Sequence, residues 1–381
     1  MVKIVTIIGA RPQIIKAAAL SRAIKQKFAG QLQEVIVHTG QHYDENMSQV
    51  FFDELGIPAP NYNLSVGSGS HGKQTAAMIV GIEEILEKEK PNAIVLYGDT
   101  NSTLAGGIAA SKIHVPVVHI EAGLRSYSKA MPEEINRIMC DHVSTLLFSP
   151  TKTGYDNLIK EGFNPNSLAP HTSDNPKIYQ CGDVMYDNSL YFSNIAEQKV
   201  NVESKYDVKN NNYILATIHR NNNTDEPKRL TDLFAALNEI SLSNDISIVL
   251  PLHPRTAKLL EQNVESSVLN AVKENTQFKI VAPASFLEMT ALEKNAFMVI
   301  TDSGGVQKEA FYFNKPCIIL RPETEWIELV NCGAAIIADA NKEKIITAFN
   351  NFKTTDKIEF PSFYGNGQAA EFICNELIKH L

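Results

Sequence analysis

The sequence predicts an α/β fold with parallel sheets, divided between two domains. Short runs rich in β-branched residues recur along the chain and alternate with amphipathic stretches of helical length, such as QTAAMIVGIEEILEKEK. Strands that are apolar on both faces and joined by helices are typical of a parallel sheet covered on both sides. A chain of 381 residues is too long for one typical core and short for three, so two domains are expected.

The predicted strands are short and mostly apolar. In chain order they are VKIVTII, EVIVHT, NAIVLY, VPVVHI, TLLFS, KIYQ, NYILATI, ISIVLPL, FKIVAP, FMVIT and CIILR. The alternation breaks from about Phe163 to Lys177, where FNPNSLAPHTSDNPK is rich in Pro, Asn and Ser. We therefore predict the boundary between the two domains in this segment, after residue 172.

Composition and charge exclude several classes of protein. The net charge of −8 is spread along the chain, whereas a nucleic-acid-binding domain normally has a strongly basic surface. The five cysteines have neither zinc-site spacing nor a disulfide pattern, which favours a reducing compartment. The first apolar run stops at Gly9, and no run approaches the ~20 apolar residues that span a bilayer. We expect a cytoplasmic protein that binds neither nucleic acid nor membranes.

Polar and charged residues directly follow several predicted strands. Ligands bind at the carboxyl ends of the strands of an open parallel sheet, so these positions carry functional information. In the first half they are GARP at 9–12 with Lys16 one turn on, GDTNST at 98–103, EAGLR at 121–125, and PEE at 132–134 with Arg137 one turn on. In the second half they are HR at 219–220, HPR at 253–255 and TDSGGVQKEA at 301–310.

Each of these residues could also have a purely structural role. Asp99 is suited to capping a helix, and Glu133 in a first helical turn is favoured by the helix dipole. His219 and His253 would each more often be structural than catalytic. TDSGG is either an ordinary strand-to-helix corner or a phosphate site at a helix N-terminus. The coincidence of so many such groups favours function, because they converge on one cleft if the two domains face each other.

The residue types indicate the chemistry. Cations and a helix N-terminus suit a diphosphate, and nearby carboxylates suit proton transfer at an adjacent carbon or oxygen. The first strand ends in GARP rather than in G-x-G-x-x-G, which disfavours nicotinamide chemistry, and no cluster has metal-ligand spacing. The residues alone predict an enzyme that acts on a nucleotide-diphosphate compound, without a metal.

A set of segments that runs from the first strand to the last helix resembles the non-hydrolysing UDP-N-acetylglucosamine 2-epimerases. The segments are GARPQIIK, HTGQH, YGDTNSTLAG, HIEAGLRS, PEEINR, HR, TDSGGVQKEA and YGNGQA. The resemblance implies the glycosyltransferase-B architecture, in which two Rossmann-like domains face a cleft. It places the first domain at 1–172, with the last helix at 366–381 packed back on it, and a UDP-binding domain at 173–365. It also implies a homodimer.

The resemblance implies reversible inversion at C2, which interconverts UDP-N-acetylglucosamine and UDP-N-acetylmannosamine. C2 is not next to a carbonyl, so its proton is not acidic enough for simple removal and return. In the family, UDP leaves C1 as a proton leaves C2, which gives a 2-acetamidoglucal, and UDP adds back after reprotonation on the other face. This chemistry requires no cofactor.

Site residues are implied in the same way. Asp99, Glu121 and Glu133 match the family's catalytic carboxylates, and His219 matches its catalytic histidine. The other matched residues line the substrate or nucleotide side, and they are Arg11, Lys16, Arg137, His253, Phe286, Ser303, Gly304 and Glu309. TDSGG would hold the phosphates of UDP, while Glu309 would accept hydrogen bonds from the ribose hydroxyls.

The chain departs from the common family pattern in three places. Tyr43-Asp44 stands where an Arg linked to allosteric substrate binding is common. Asn221 to Asn223 follow Arg220, and Trp326 stands in a Thr-Glu-Trp-Ile segment. In these places the chain looks more like the branch that acts on UDP-2,3-diacetamido-2,3-dideoxyglucuronic acid for surface polysaccharide. Arg220, the Asn run and Arg321 could bind the carboxylate and acetamido groups of that sugar.

Two further activities are open. A glycosyltransferase of the same architecture would move the sugar to an acceptor, and a hydrolysing relative would release free N-acetylmannosamine. The set of three acids and the motifs along the whole chain favour the non-hydrolysing epimerase over both.

Overall fold

The computed structural model describes residues 1–41, 56, 58–252 and 254–381. The chain forms two compact units. The first comprises residues 1–188 and 362–381, and the second comprises residues 189–361. Each unit is an α/β assembly around one parallel sheet, so the predicted fold class is confirmed.

The strands of both sheets are short. Those of the first unit are β1 Val2–Ile8, β2 Leu32–His38, β3 Tyr62–Asn63, β4 Ala93–Tyr97, β5 Val117–Ile120, β6 Leu146–Ser149 and β7 Lys177–Gln180. Those of the second unit are β8 Tyr213–Thr217, β9 Ser247–Pro251, β10 Phe278–Val281, β11 Met298–Thr301, β12 Cys317–Ile319 and β13 Ala335–Ile337. The sequence analysis does not predict β3 and β13. With two residues, β3 is too short for a periodic signal.

Helices connect almost every pair of strands in the described chain. In chain order they are α1 Arg11–Ala23 with a π-helical extension Ile24–Phe28, α2 His71–Glu89, α3 Asn101–Lys112, α4 Pro132–His142, α5 Lys152–Lys160, α6 Val184–Lys199, α7 Val202–Tyr206, α8 Asn221–Thr224, α9 Pro227–Asn244, α10 Pro254–Asn263, α11 Ser266–Glu274, α12 Phe286–Asn295, α13 Gly304–Tyr312, α14 Ile327–Asn331, α15 Lys342–Thr354 and α16 Ala369–His380. None of these described helices has both the length and the apolar character needed to cross a membrane.

Strand order creates one switch point in each unit. The first sheet runs β3-β2-β1-β4-β5-β6-β7 and the second runs β10-β9-β8-β11-β12-β13, with parallel pairing throughout the described strands. The order therefore reverses between β1 and β4 and again between β8 and β11. Ligands bind at such points, beyond the carboxyl ends of the two strands.

Helices begin directly at these strand ends, and their first residues explain why. Thr100 precedes α3 and accepts a hydrogen bond from the Thr103 amide at 3.4 Å. Ser303 caps α13 in the same way. Pro12 and Pro132 stand in the first turns of α1 and α4, where a missing N–H costs nothing.

The sheets are covered by apolar side chains from both sides. Ile7 and Leu96 of the first sheet pack with Ala105 and Ala109 of α3. In the second unit the core includes Ile300 of β11 together with side chains from α9 and α15. Small residues on α3 let this helix lie close to the sheet beside the first switch point.

The Pro-, Asn- and Ser-rich segment connects α5 to β7 inside the first unit. Strand β7 pairs with β6 in the first sheet, whereas the boundary predicted after residue 172 would separate the two strands. Beyond β7, Asp187 joins the chain's last helix to this unit. Its carboxylate accepts hydrogen bonds from the amides of Ala369 and Ala370 at 3.1 and 2.8 Å, at the N-terminus of α16.

Asp187 makes the attachment of α16 sensitive to pH. Burial raises the pKa of this carboxyl from its ordinary value of 3.8 to about 6. A raised pKa means that the folded state holds its proton longer than the unfolded state does. The stabilising contribution is therefore complete below about pH 4 and is lost as the pH rises through 6.

We expect the free energy of opening of α16 to fall by up to about 3 kcal/mol between pH 4 and pH 7. In Asp187→Asn this part of the pH dependence should disappear, because the side chain no longer titrates. Hydrogen exchange of the amides of residues 369–380, corrected for intrinsic rates, measures both. Asp174→Asn, which removes an exposed carboxylate of the same unit, is the control, and identical pH dependence in all three chains would contradict the assignment.

Candidate active site

The first switch point is held together by Gln13 of α1. Its Oε1 accepts hydrogen bonds from the amides of Gly9 and Ala10 at 2.9 and 3.2 Å, and its Nε2 donates to the Tyr97 carbonyl at 3.0 Å. Gln13 is buried. It therefore joins the ends of β1 and β4 and fixes the start of α1 against them.

Glu121 follows β5 in an uncommon backbone conformation. Its φ is +76°, in the left-handed region that a non-glycine residue occupies only when its surroundings hold it there. The Glu121 amide donates to the Phe148 carbonyl at 3.0 Å. Its Oε2 forms an ion pair with Lys16 of α1, and both side chains are mostly buried. The pair lies against the end of β4, since a Cβ on Gly98 would be 3.1 Å from Glu121 Oε2.

Asp99 follows Gly98 and pairs with Arg137 of α4. Arg137 also contacts Glu134 at 2.5 Å, one turn earlier on the same helix. Burial would lower the pKa of Arg137, but the attraction of Asp99 and Glu134 raises it above its ordinary value. The structure thus brings together two pairs among the predicted site residues, Lys16 with Glu121 and Arg137 with Asp99.

The two glutamates at the start of α4 have different surroundings. Glu134 is 1% exposed, and it accepts hydrogen bonds from the amides of Ser126 and Tyr127 at 3.0 and 2.9 Å. Burial would raise its pKa, but these two amides and Arg137 lower it. Glu134 therefore fixes the loop between β5 and α4. The side chain of Glu133 is exposed, and its catalytic role stays a prediction.

His219 and Asp302 meet at the second switch point. The imidazole Nδ1 lies 2.9 Å from Asp302 Oδ1. Asp302 is fully buried and also accepts the amide N–H groups of His219 and Arg220, each at 3.0 Å. Burial would raise its pKa, but the hydrogen bond from His219 and the others lower it, so the carboxylate stays ionised. Since Nδ1 faces Asp302, chemistry at this half-exposed histidine would use Nε2.

Asp302 is a residue that the sequence analysis did not select. It lies in the TDSGG segment, where the predicted site residues are Ser303 and Gly304. The available signal was its position, since an acid at the end of β11 lies beside the end of β8 when the two strands pair. A buried carboxylate that orients a histidine is a recurring arrangement in active sites.

TDSGG forms the predicted strand-to-helix corner. Ser303 caps α13, and an added Cβ on Gly304 would lie 2.2 Å from Glu325 Oε1. Arg321 pairs with the same Glu325 at 2.8 Å. Trp326 donates through its indole N–H to the Gly304 carbonyl at 3.0 Å. The segment that carries these three side chains therefore covers the first turn of α13, and a side chain at position 304 would require the Glu325 carboxylate to move.

Glu309 of α13 is paired with a second carboxyl group. Glu293 of α12 is 3% exposed. Burial and the hydrogen bond and charge of Glu309 raise the pKa of Glu293 well above its ordinary value. Two hydrogen-bonded carboxyl groups must share a proton, and the raised pKa of Glu293 favours the neutral form of this residue.

Two of the departures from the family pattern are packing positions. Asn223 is 1% exposed, and its amide group donates to Asp302 and to the Leu320 carbonyl at 3.1 and 3.0 Å. Its oxygen accepts from Arg229. Trp326 is likewise buried, with Lys308 Nζ 4.2 Å from the centre of its ring. Asn223 therefore supports Asp302, whereas Asn221 and Asn222 have exposed side chains, and a sugar contact from the Asn run stays a prediction.

Two more of the predicted site residues, Arg11 and Phe286, lie in the described part of the chain. Arg11 is the first residue of α1 and has an exposed side chain. Phe286 begins α12 and packs edge-on against Phe192, with ring centres 5.1 Å apart. His253 and the Tyr43-Asp44 pair lie outside the described residues.

Comparison with known proteins identifies the family. The family model described as UDP-N-acetylglucosamine 2-epimerase matches residues 23–378. The UDP-2,3-diacetamido-2,3-dideoxy-D-glucuronate 2-epimerase of Pseudomonas aeruginosa is 46% identical over 377 residues, which cover 99% of each chain. The UDP-N-acetylglucosamine 2-epimerase of Methanocaldococcus jannaschii is 42% identical over 373 residues, or 97% of each chain.

A solved structure supports the same assignment. The crystal structure of Methanocaldococcus jannaschii UDP-GlcNAc 2-epimerase in complex with UDP-GlcNAc and UDP superposes with a TM-score of 0.81 at 42% identity, and 99% of each chain is covered. Sequence and structure thus agree over nearly the whole chain. The chain belongs to the UDP-N-acetylglucosamine 2-epimerase family.

Proposed function

We propose that this protein is a non-hydrolysing UDP-sugar 2-epimerase that interconverts UDP-N-acetylglucosamine and UDP-N-acetylmannosamine. The observation that carries the proposal is the arrangement at the first switch point. There, Asp99 and Glu121 follow neighbouring strands, and each carboxylate has a cation against it. Carboxylates at a strand edge can remove and return a proton, and the cations Lys16 and Arg137 are suited to phosphate oxygens.

The reaction is an elimination followed by an addition. One carboxylate takes the proton from C2 while the C1–O bond breaks and UDP leaves with the bonding electron pair. The resulting 2-acetamidoglucal is protonated at C2 on the opposite face, and UDP adds back at C1. The candidates for the two proton-transfer roles are Asp99, Glu121 and Glu133. His219, oriented by Asp302, would interact with the phosphate of the leaving group.

The second unit is proposed to be the UDP-binding domain. The N-terminus of α13, which begins at Gly304, offers backbone N–H groups to the diphosphate. Glu309 lies further along the same helix and would accept hydrogen bonds from the ribose hydroxyls. Its neighbour Glu293, whose pKa is raised by burial and by Glu309, contacts it through a hydrogen bond. Phe286 and His253 are proposed to contribute to the same nucleotide side.

A second substrate is supported by the 46% identity to the Pseudomonas aeruginosa diacetamido-glucuronate epimerase. On UDP-2,3-diacetamido-2,3-dideoxyglucuronic acid the same chemistry would serve surface polysaccharide synthesis. A site that binds a carboxylate discriminates strongly against a substrate without one, because the cation is left unpaired. Arg220 and Arg321 are the candidate cations.

Location and assembly are proposed on separate grounds. All five cysteines are free thiols, as expected for a protein of the cytoplasm. The homodimer is proposed from the family resemblance, and light scattering of the purified chain would test it.

With its substrate in deuterated water, the enzyme should place deuterium at C2 and leave the C1–O–P linkage intact in the product. This follows because the C2 proton leaves to a carboxylate and the replacement comes from solvent. NMR of the product, with both candidate UDP-sugars run in parallel, measures the exchange. Retention of the substrate hydrogen would argue against elimination, and free sugar would indicate a hydrolase.

The parallel rates also decide between the substrates. If the uronate is the substrate, its kcat/KM should exceed that of UDP-N-acetylglucosamine by about 10²-fold or more. Efficient turnover of UDP-N-acetylglucosamine with no gain from the uronate would remove the second candidate and leave the epimerase assignment standing.

Substitution of the proposed proton-transfer acids should lower the rate of catalysis, whereas substitution of the proposed ribose-binding acid should weaken UDP binding. Asp99→Asn, Glu121→Gln and Glu133→Gln should each lower kcat by about 10²-fold or more while UDP affinity stays nearly unchanged, since these groups handle protons. Glu309→Ala should weaken UDP binding by roughly 1.5 to 3 kcal/mol through a lost charge-assisted hydrogen bond.

Kinetics and calorimetry of UDP binding measure the two effects, and the variants serve as controls for each other. An acid variant that loses UDP affinity as strongly as Glu309→Ala would be a nucleotide-binding or structural residue. Unchanged UDP affinity in Glu309→Ala would remove its role at the ribose.

A further inference from the structure

His119 of β5 lies buried between two hydrogen-bond acceptors. Its Nδ1 is 2.6 Å from Asp141 Oδ1, and its Nε2 is 2.8 Å from the carbonyl oxygen of Gly98. Both His119 and Asp141 have no exposed surface. A carbonyl oxygen can only accept, so Nε2 must carry a proton.

The proton between His119 and Asp141 can also be placed. Asp141 Oδ2 accepts from Arg125 at 2.7 Å and from the Gly123 amide at 3.1 Å. With these two donors directed at it, this carboxyl group is stabilised in its ionised form. The proton therefore belongs to Nδ1, and His119 carries protons on both nitrogens.

Other charged groups around the ring agree with this state. Arg125 is held from its other side by Glu161, with two contacts of 2.7 Å. Burial would lower the pKa of His119, but Cys140 and Asp141 raise it well above its ordinary value. The pKa of Asp141 is correspondingly lowered, since His119 and Arg125 outweigh the effect of burial.

The two hydrogen-bond acceptors of His119 are the Gly98 carbonyl and Asp141. Each of them helps to position the backbone beside a predicted catalytic acid, Asp99 or Glu121. Gly98 directly precedes Asp99. Its φ is +64°, and its amide donates to the Ile120 carbonyl at 3.0 Å, so β5 holds the Gly98 residue by both its N–H and its C=O. Through Gly123, Asp141 also holds the turn that follows Glu121. Asp141 stands one helical turn after Arg137, the partner of Asp99, on the same face of α4.

We propose that His119 is a doubly protonated positioning residue that fixes the backbone at Asp99 and, through Asp141, the turn after Glu121. Groups that exchange a proton with a carbon need placement within a fraction of an ångström, and a shift of about 1 Å can cost 10²-fold in rate. His119 contacts the backbone and Asp141, so it acts on the reaction only through the acids that it positions. The kinetic part of this inference rests on the proposed epimerase function.

The protonation state is tested on the unmodified full-length chain by NMR of ¹⁵N-labelled histidine. We expect one imidazole to show protons on both nitrogens, without titrating, from pH 6 to pH 9. That signal should be absent from His119→Gln and present in His142→Gln, which changes a half-exposed histidine of the same unit. A neutral His119 anywhere in this range would overturn the proposal, whether or not any UDP-sugar is turned over.

The positioning role is tested by kinetics of the same two variants. Glutamine keeps one donor for the Gly98 carbonyl but brings no positive charge to Asp141. His119→Gln should lower kcat by about 10²-fold with UDP affinity within twofold of the parent, and His142→Gln should match the parent in both. An unchanged kcat in His119→Gln would overturn the role, and so would a parallel loss of kcat and UDP affinity.

Discussion

Two carboxylates follow neighbouring strands of the first unit, each with a cation in contact with it, and these two ion pairs organise the strand ends. An unpaired charge out of water costs several kcal/mol, so a buried carboxylate is stabilised by partners that the fold supplies. Lys16 reaches Glu121 from α1, and Arg137 reaches Asp99 from α4. The packing of two helices against one sheet edge therefore brings two carboxylate–cation pairs together there. In the proposed function, the carboxylates transfer protons and the same cations bind a diphosphate, so one set of contacts would serve stability and chemistry.

The second unit also contains a buried carboxylate, which is stabilised by residues of a different kind. Its buried Asp302 has no arginine or lysine among its described contacts and is satisfied instead by backbone amides, Asn223 and His219. Hydrogen bonds to an ion can replace a counter-ion when enough donors converge. The arrangement leaves His219 oriented at the strand end, where the proposed mechanism requires a group near a phosphate.

Much of the fold and of the candidate site could be predicted because the carboxyl ends of parallel strands lie at the same edge of a sheet. Short apolar runs located β1, β4, β8 and β11, and the polar residues after them followed. The position of Asp302 after β11 is visible in the sequence, but its contact with His219 joins positions 83 residues apart and depends on the pairing of β8 with β11. Glu133 and Glu134 could not be told apart. Both stand in the first turn of α4, and only the path of the loop at Ser126 and Tyr127 shows which one is buried.

The departures from the family pattern bear on substrate specificity. Asn223 and Trp326 are buried, so their effect on a substrate passes through Asp302 and through the first turn of α13. Arg321 is already paired with Glu325 at 2.8 Å, so a sugar carboxylate would have to compete with that glutamate. Arg220 has an exposed side chain on a backbone that Asp302 fixes. If a uronate is the substrate, Arg220 is therefore the cation that can bind its carboxylate with fewer existing contacts to break. The buried Asn223 helps to position the backbone of Arg220, because both residues donate hydrogen bonds to Asp302.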